Sequence, residues 1–465
     1  MSPSFVMVLC FLAPSLGYFF YYLLKKRKQT HTLSANVSLI SITFALVATE
    51  FGGELVLGTS EEAYASGLFG LLYIGGISLG FLLLGFGFAA KMKALNVSSS
   101  IEIFSIKYHS PTLKKIASIL SLLTVMGLLF GQAIACKTLL ASLGINQPLI
   151  VIGFWLLTCI YAITGGLSAA GMTNLFQIAY VLTTFTGIFV YCIVKEPPSF
   201  FALKTFLDTQ ILFNSSSYSL SALFTSLIMP ALYCIIEQDY AQPLFAARTK
   251  RTALFSAIGA SLFMLLFSLV PLYFGIKAKL LNITTEQGAS PLIAVLHIMT
   301  NNSIVIMAIC GIIAAIIATT NYLLWSVTNS LSEYFACKES EKVTKVQIER
   351  IIACILGCGI VITSYLANWS SLSVLSCSFE LYDCCLVVPL IMTYFKQELR
   401  KGAAIGSLSA GLLGFILFRI MPISFPKEIA SLLLSMIGYI LGEWIERLWQ
   451  RFMASRRTRA LFRVG

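Results

Sequence analysis

Two carboxylates, Glu50 and Glu54, flank a glycine pair, Gly52 and Gly53, in the otherwise apolar stretch VATEFGGELVLG (47–58). Adjacent glycines weaken a helix, and a helix that unwinds frees backbone carbonyls beside the two acids. Oxygen atoms gathered in this way are the ligands a small hard cation needs. A second acidic pair, Glu380 and Asp383, stands three residues apart, so both share one helical face and could line one cavity. Thr319, Thr320 and Asn321 form a polar step in AAIIATTNYLLWSVTNS (314–330). Hydroxyls there either complete a cation's shell or bond back to their own helix. Pro230, within SLIMPALYCII (226–236), removes an N–H and frees a carbonyl one turn back. Lys137 lies within two turns of the end of its apolar run, where snorkelling or pairing accounts for it. The 12 cysteines form no CxxC pair and read as small buried hydrophobes, and the 3 histidines lack metal-ligand spacing.

The elements that hold these groups must be membrane helices. Of the 465 residues 58% are hydrophobic and 11% charged, against about 25% charged in soluble proteins. Such a chain cannot wet its own exterior, which excludes a soluble enzyme. Apolar segments of spanning length fall near 3–24, 34–58, 64–90, 112–143, 147–165, 170–194, 218–236, 252–275, 300–335, 348–367, 371–395, 402–420 and 427–446. The sequence therefore predicts an all-α polytopic membrane protein of about 13 transmembrane helices. No His/Asp, Cys/His or HExxH grouping supports an enzyme, no cofactor is called for, and no pore-loop repeat supports a channel.

Charge orients the chain. The net charge of +12 sits in short clusters between apolar runs, a topogenic pattern rather than a nucleic-acid surface. With the N-terminus outside and the C-terminus cytoplasmic, about 25 of the 32 Lys and Arg fall on the inner side. The expected setting is a cell membrane of the bacterial inner-membrane kind, with the lipid bilayer as partner and no nucleic acid. The first segment has its basic cluster after the apolar run and reads as a span rather than a cleavable signal.

The interrupted segments open two blocks of five helices each. Five crossings invert the second block relative to the first, which is the arithmetic of an inverted repeat with its sites at the broken helices. The predicted organisation is an extra helix in 1–33, a first repeat in 34–194, a second in 218–395, two helices in 396–446 and a basic cytoplasmic tail in 447–465.

Four stretches in order resemble the sodium:solute symporter family: VATEFGGELVLG (47–58), ITGGLSAAGMTNLFQ (163–177), EQDYAQPLFAARTKRTA (237–253) and AAIIATTNYLLWSVTNSLSEYF (314–335). The resemblance implies a LeuT-type fold of five-plus-five inverted repeats and cation-coupled uptake, with Na+ as the coupling ion, of a small organic solute such as an amino acid or vitamin. It also implies a sodium site made of the carbonyls of Ala48, Phe51 and Ala315 and the hydroxyl of Thr319. Glu50, Gly52, Gly53, Glu380 and Asp383 are the substrate or gating candidates, and Tyr233 falls at the aromatic gate of sugar-carrying relatives, where a packing Tyr is equally in keeping. Three positions depart from the family pattern: Ala318 replaces a Ser, Asn174 an Asp, and Glu50 the Asp of proline transporters. Glu50 supplies a group able to carry a proton, so a proton-coupled symporter of the same fold is the alternative, with a channel ranked below it.

Overall fold

The computed structural model describes residues 38–88, 101–195, 220–237, 240, 244, 247–284, 289–335, 342–366, 369–396, 398–421 and 425–461. The first expected span, 3–24, lies outside them, and so do the side chains of 161–176, Asn174 included. Among the described residues eight helices are long and apolar enough to cross a membrane, nine if one bent pair counts as a single span. Three shorter apolar helices, Pro148–Ile160, Phe224–Ile236 and Cys354–Leu366, add to these.

The bent pair is α1 (Leu39–Glu50) and α2 (Gly53–Ser66), which meet at 61°. Phe51 (φ −84, ψ 58) and the extended Gly52 (φ −97, ψ 176) carry the break, and the Gly52 N–H turns back to the Glu50 carbonyl at 2.9 Å. Two backbone residues out of helical register leave the last carbonyls of α1 without intrahelical partners. Close approach requires the glycine at 53 in particular. A Cβ on Gly53 would collide with Ile316 and come within 3.2 Å of the Ala135 Cβ, while one on Gly52 would strike Gln132 and the Glu54 carboxylate.

After a 3₁₀ turn at Leu68–Leu71 follow α3 (Leu72–Leu83), α4 (Glu102–Ile106), α5 (Pro111–Ser142) and α6 (Pro148–Lys195). The range of α6 takes in both spans expected at 147–165 and 170–194, with Pro148–Ile160 and Gln177–Lys195 as its two apolar stretches.

Pro230 corrects one expectation. It does not interrupt its helix; it stands in the first turn of α7 (Met229–Ile236), behind a π-turn at Phe224–Ile228. A proline at that position loses little, because the first N–H groups of a helix lack partners in any case. The helix ends instead at Glu237, which is extended (φ −76, ψ 137).

Beyond it come α8 (Lys250–Leu280), α9 (Pro291–Met299), α10 (Asn302–Phe335), α11 (Lys342–Leu366), α12 (Ser371–Phe395), α13 (Lys401–Ile420) and α14 (Lys427–Leu461). The second half of α6 runs antiparallel to α10, with Lys195 bonded to the Met299 carbonyl (2.8 Å) and Tyr180 to that of Met307 (3.3 Å). Lys137 donates to the Ser364 and Tyr365 carbonyls at 3.4 and 3.1 Å, satisfying the C-terminal end of α11 where a cation also complements the helix dipole.

Candidate functional site

At the break between α1 and α2 each acid has a buried polar partner. Glu50, the last residue of α1, accepts hydrogen bonds from the hydroxyls of Tyr73 on α3, at 3.1 Å, and Tyr240. Glu54 accepts from the side-chain amide of Gln132 on α5, and the carbonyl oxygen of that amide receives the Gly53 N–H at 3.3 Å. Gln132 thus ties both sides of the first turn of α2 to α5. Gln132→Leu strips the partner from a buried carboxylate and from a backbone N–H, at about 1–3 kcal/mol. A fall in the thermal unfolding midpoint of the full-length protein in detergent is the expected outcome, and an unchanged midpoint would contradict this role.

Facing the break is α10, whose Ile316 packs against Gly53. Ala315 lies in the same turn, and Thr319, four residues on, stacks over it. Thr319, Thr320 and Asn321 are all buried, and the Thr319 Oγ1, Thr320 Oγ1 and Asn321 Oδ1 atoms have no hydrogen-bond partner. A helical threonine surrounded by apolar groups ordinarily bonds back to the carbonyl four residues earlier. Thr124, Thr158 and Thr363 do so, to Leu120, Phe154 and Gly359 at 3.0, 3.1 and 2.9 Å. Thr319 and Thr320 do not. Of the other expected ligands, Ala48 belongs to the last turn of α1, where carbonyls are unpaired, and Phe51 is in the break, its ring packed on Phe267 at 4.5 Å.

A second cluster joins α3, α7 and α12. Tyr233, in the last turn of α7, packs against Phe379 (ring centroids 4.3 Å apart), Tyr382 (5.5 Å) and Tyr240 (5.8 Å), while Phe379 also stacks on Tyr73 at 6.1 Å. Through Tyr73 and Tyr240 this aromatic group reaches Glu50. The two acids on α12 separate in their partners. Glu380 pairs with Arg419 of α13 at 2.6 Å, whereas Asp383 is wholly buried and neither of its oxygens has a hydrogen bond. Asp383 is four residues after Phe379 and so shares its face, within electrostatic reach of Glu237 and Cys234.

The structure therefore draws Glu50, Gly52, Gly53, Tyr233 and Asp383 into one region and turns Glu380 to an ion pair with the neighbouring helix. Gln132, Tyr73, Tyr240 and Phe379 are the residues that sequence reasoning missed. Gln132 carried a usable signal, a lone amide in the apolar span 112–143. The aromatic residues carried none, because a packing Tyr and a site Tyr look alike in a chain with 19 of them.

A family model described as the sodium:solute symporter family matches residues 32–414. The chain belongs to that family. It is a multi-pass membrane protein and a secondary transporter, not an enzyme, and membership makes sodium-coupled symport its mode of action. Among solved structures the symporter is similar to a Na+-coupled sialic acid symporter in a substrate-bound outward-open state (TM-score 0.72, 16% identity, 95% of this chain and 97% of that one covered). It is also similar to Mhp1, a nucleobase-cation-symport-1 family transporter in a closed conformation with bromovinylhydantoin bound (TM-score 0.56, 12% identity, 89% and 94% covered). At these identities the likeness shows the fold, that of LeuT-type transporters. No curated protein matches the sequence.

Proposed function

We propose that the symporter carries a small organic solute, such as an amino acid or vitamin, into the cell together with Na+, bound between the end of α1 and α10. The carbonyls of Ala48, Phe51 and Ala315 and the hydroxyl of Thr319 are its ligands. The observation that carries this reading is the Thr319 hydroxyl beside the break, buried and bonded to nothing, as are those of Thr59 and Thr320, where Thr124, Thr158 and Thr363 bond back to their own helices. Two further features support it. The C-terminal end of α1 presents the negative end of a helix dipole, and Ile316 against Gly53 brings α10 up to the break.

In this reading the chain has 13 spans with the N-terminus outside and the C-terminus in the cytoplasm, the side that receives most of the 32 Lys and Arg. Residues 34–194 and 218–395 are the inverted repeats of five helices, opened by the break at Gly52 and Gly53 and by the segment ending at Glu237. Glu50 and the group around Tyr233 and Asp383 receive the solute.

Ala318 stands where the family carries a hydroxyl ligand. Ala318→Ser supplies one and is expected to lower the sodium concentration for half-maximal uptake by about threefold or more, since a charge-assisted contact is worth about 1 kcal/mol or more. Sodium titration of uptake into vesicles checks this, and an unchanged or raised sodium requirement counts against the assigned geometry.

A further inference from the structure

We propose that the solute is an organic cation, an ammonium compound with an apolar body, received by the Asp383 carboxylate and the faces of Tyr233, Tyr240, Tyr382 and Phe379. The inference rests on the reading of this region as the solute site. Of the carboxylates buried in this region, Glu50, Glu54 and Asp383 are paired with no Lys or Arg among the described residues, and Glu237 is buried near Asp383 as well. Glu50 is bonded to two phenols and Glu54 to an amide, so neither partner offsets its charge. Asp383 has no hydrogen bond at all and is fully buried. An uncompensated carboxylate in a membrane interior is costly and marks a site that a cation completes.

The surroundings select the kind of cation. Among the described residues no three His, Cys, Asp or Glu side chains converge closely enough to hold a metal ion. Asp383 has Glu237 and Cys234 within electrostatic reach and aromatic residues along its helix, Phe379 one turn away and Tyr382 in the preceding position, with Tyr233 packed on both rings and Tyr240 behind. Ring faces attract an ammonium group and also bury its carbon substituents, whereas they offer nothing to a carboxylate. Among the described residues no Lys or Arg is buried with this group to receive an anionic solute. Sodium at Thr319 and an ammonium at Asp383 together supply two positive charges to a region rich in carboxyl groups.

The test uses full-length protein in lipid vesicles, with choline, putrescine and a simple alkylamine set against proline, pantothenate and glucose, reading both the thermal unfolding midpoint and sodium-driven accumulation. An ammonium compound is expected to raise the midpoint and to accumulate. Asp383→Asn should weaken its half-saturation by tenfold or more with sodium activation little changed. Tyr233→Phe should retain the affinity that Tyr233→Leu loses, since Phe keeps the ring face. Response to proline, pantothenate or glucose with none to the ammonium compounds overturns the inference and leaves sodium-coupled transport standing. An ammonium compound that stabilises the protein but is never accumulated overturns the inference, because it is then a ligand and not the solute, and leaves the sodium site untouched. No response to any ammonium compound, or an Asp383→Asn variant changed only in its sodium activation, also overturns it.

Discussion

Thr319→Ala is expected to raise the sodium concentration for half-maximal uptake by about tenfold or more, the equivalent of about 1.4 kcal/mol for one lost ligand. Thr320→Ala should shift it by less than about threefold, corresponding to less than about 0.7 kcal/mol. Both hydroxyls are buried and unbonded, so burial does not separate the two variants. Direction does. Successive residues point about 100° apart on a helix, and Thr319 stacks over Ala315, whose carbonyl is the other α10 ligand. Thr320 stacks over Ile316, the residue that packs on Gly53. Neither substitution removes a hydrogen bond, and each opens only a small void, so both variants should fold with nearly unchanged thermal stability. Equal sodium dependence in the two, measured by titrating uptake, would remove Thr319 from the ion site.

Glu50→Gln separates the two coupling ions. The amide oxygen can still accept from one of the two phenols, Tyr73 or Tyr240, and the amide NH2 can donate to the hydroxyl oxygen of the other, so the neutral side chain can still bridge α1 to α3. What it loses is a full negative charge next to the carbonyls of Ala48 and Phe51. Across several ångströms of protein, with an effective dielectric constant near 20, one unit charge is worth about 2 kcal/mol, or roughly thirtyfold in sodium affinity. The expected result is a sodium activation curve moved to much higher concentration with the pH profile of uptake little changed. Loss of acid-stimulated, concentrative uptake, with solute exchange spared and sodium activation unaltered, would instead identify Glu50 as a proton carrier.

How far the sequence reached depends on what kind of signal each element leaves. Apolar length and the glycine pair located the broken helix, because unwinding beside Gly52 and Gly53 is a local backbone property and the neighbours of Gly53 leave no room for a Cβ. The proline misled. Pro230 has an obvious local effect, yet a π-turn before it absorbs the missing N–H, and the helix instead ends at Glu237, which no residue type announces. The acidic pair on α12 shows the same limit. Spacing places Glu380 and Asp383 on one face, but only the position of α13 decides that Glu380 meets Arg419 while Asp383 is left without a partner. The polar step at Thr319 was visible, and its alternative of back-bonding was equally open. That choice turns on side-chain rotamers, which spacing does not encode. Tyr73, Tyr240 and Phe379 are three aromatic residues drawn from distant segments, and only tertiary packing makes a cluster of them.

Sodium-driven accumulation by the wild-type chain tests the central claim most directly. Full-length protein in sealed vesicles, with pH and membrane potential clamped, is given labelled proline, pantothenate, glucose and choline under an inward sodium gradient. Accumulation of one of them above its equilibrium level, lost when the sodium gradient alone is collapsed, is the predicted result. Accumulation that ignores sodium and disappears only when a pH gradient is dissipated would contradict it.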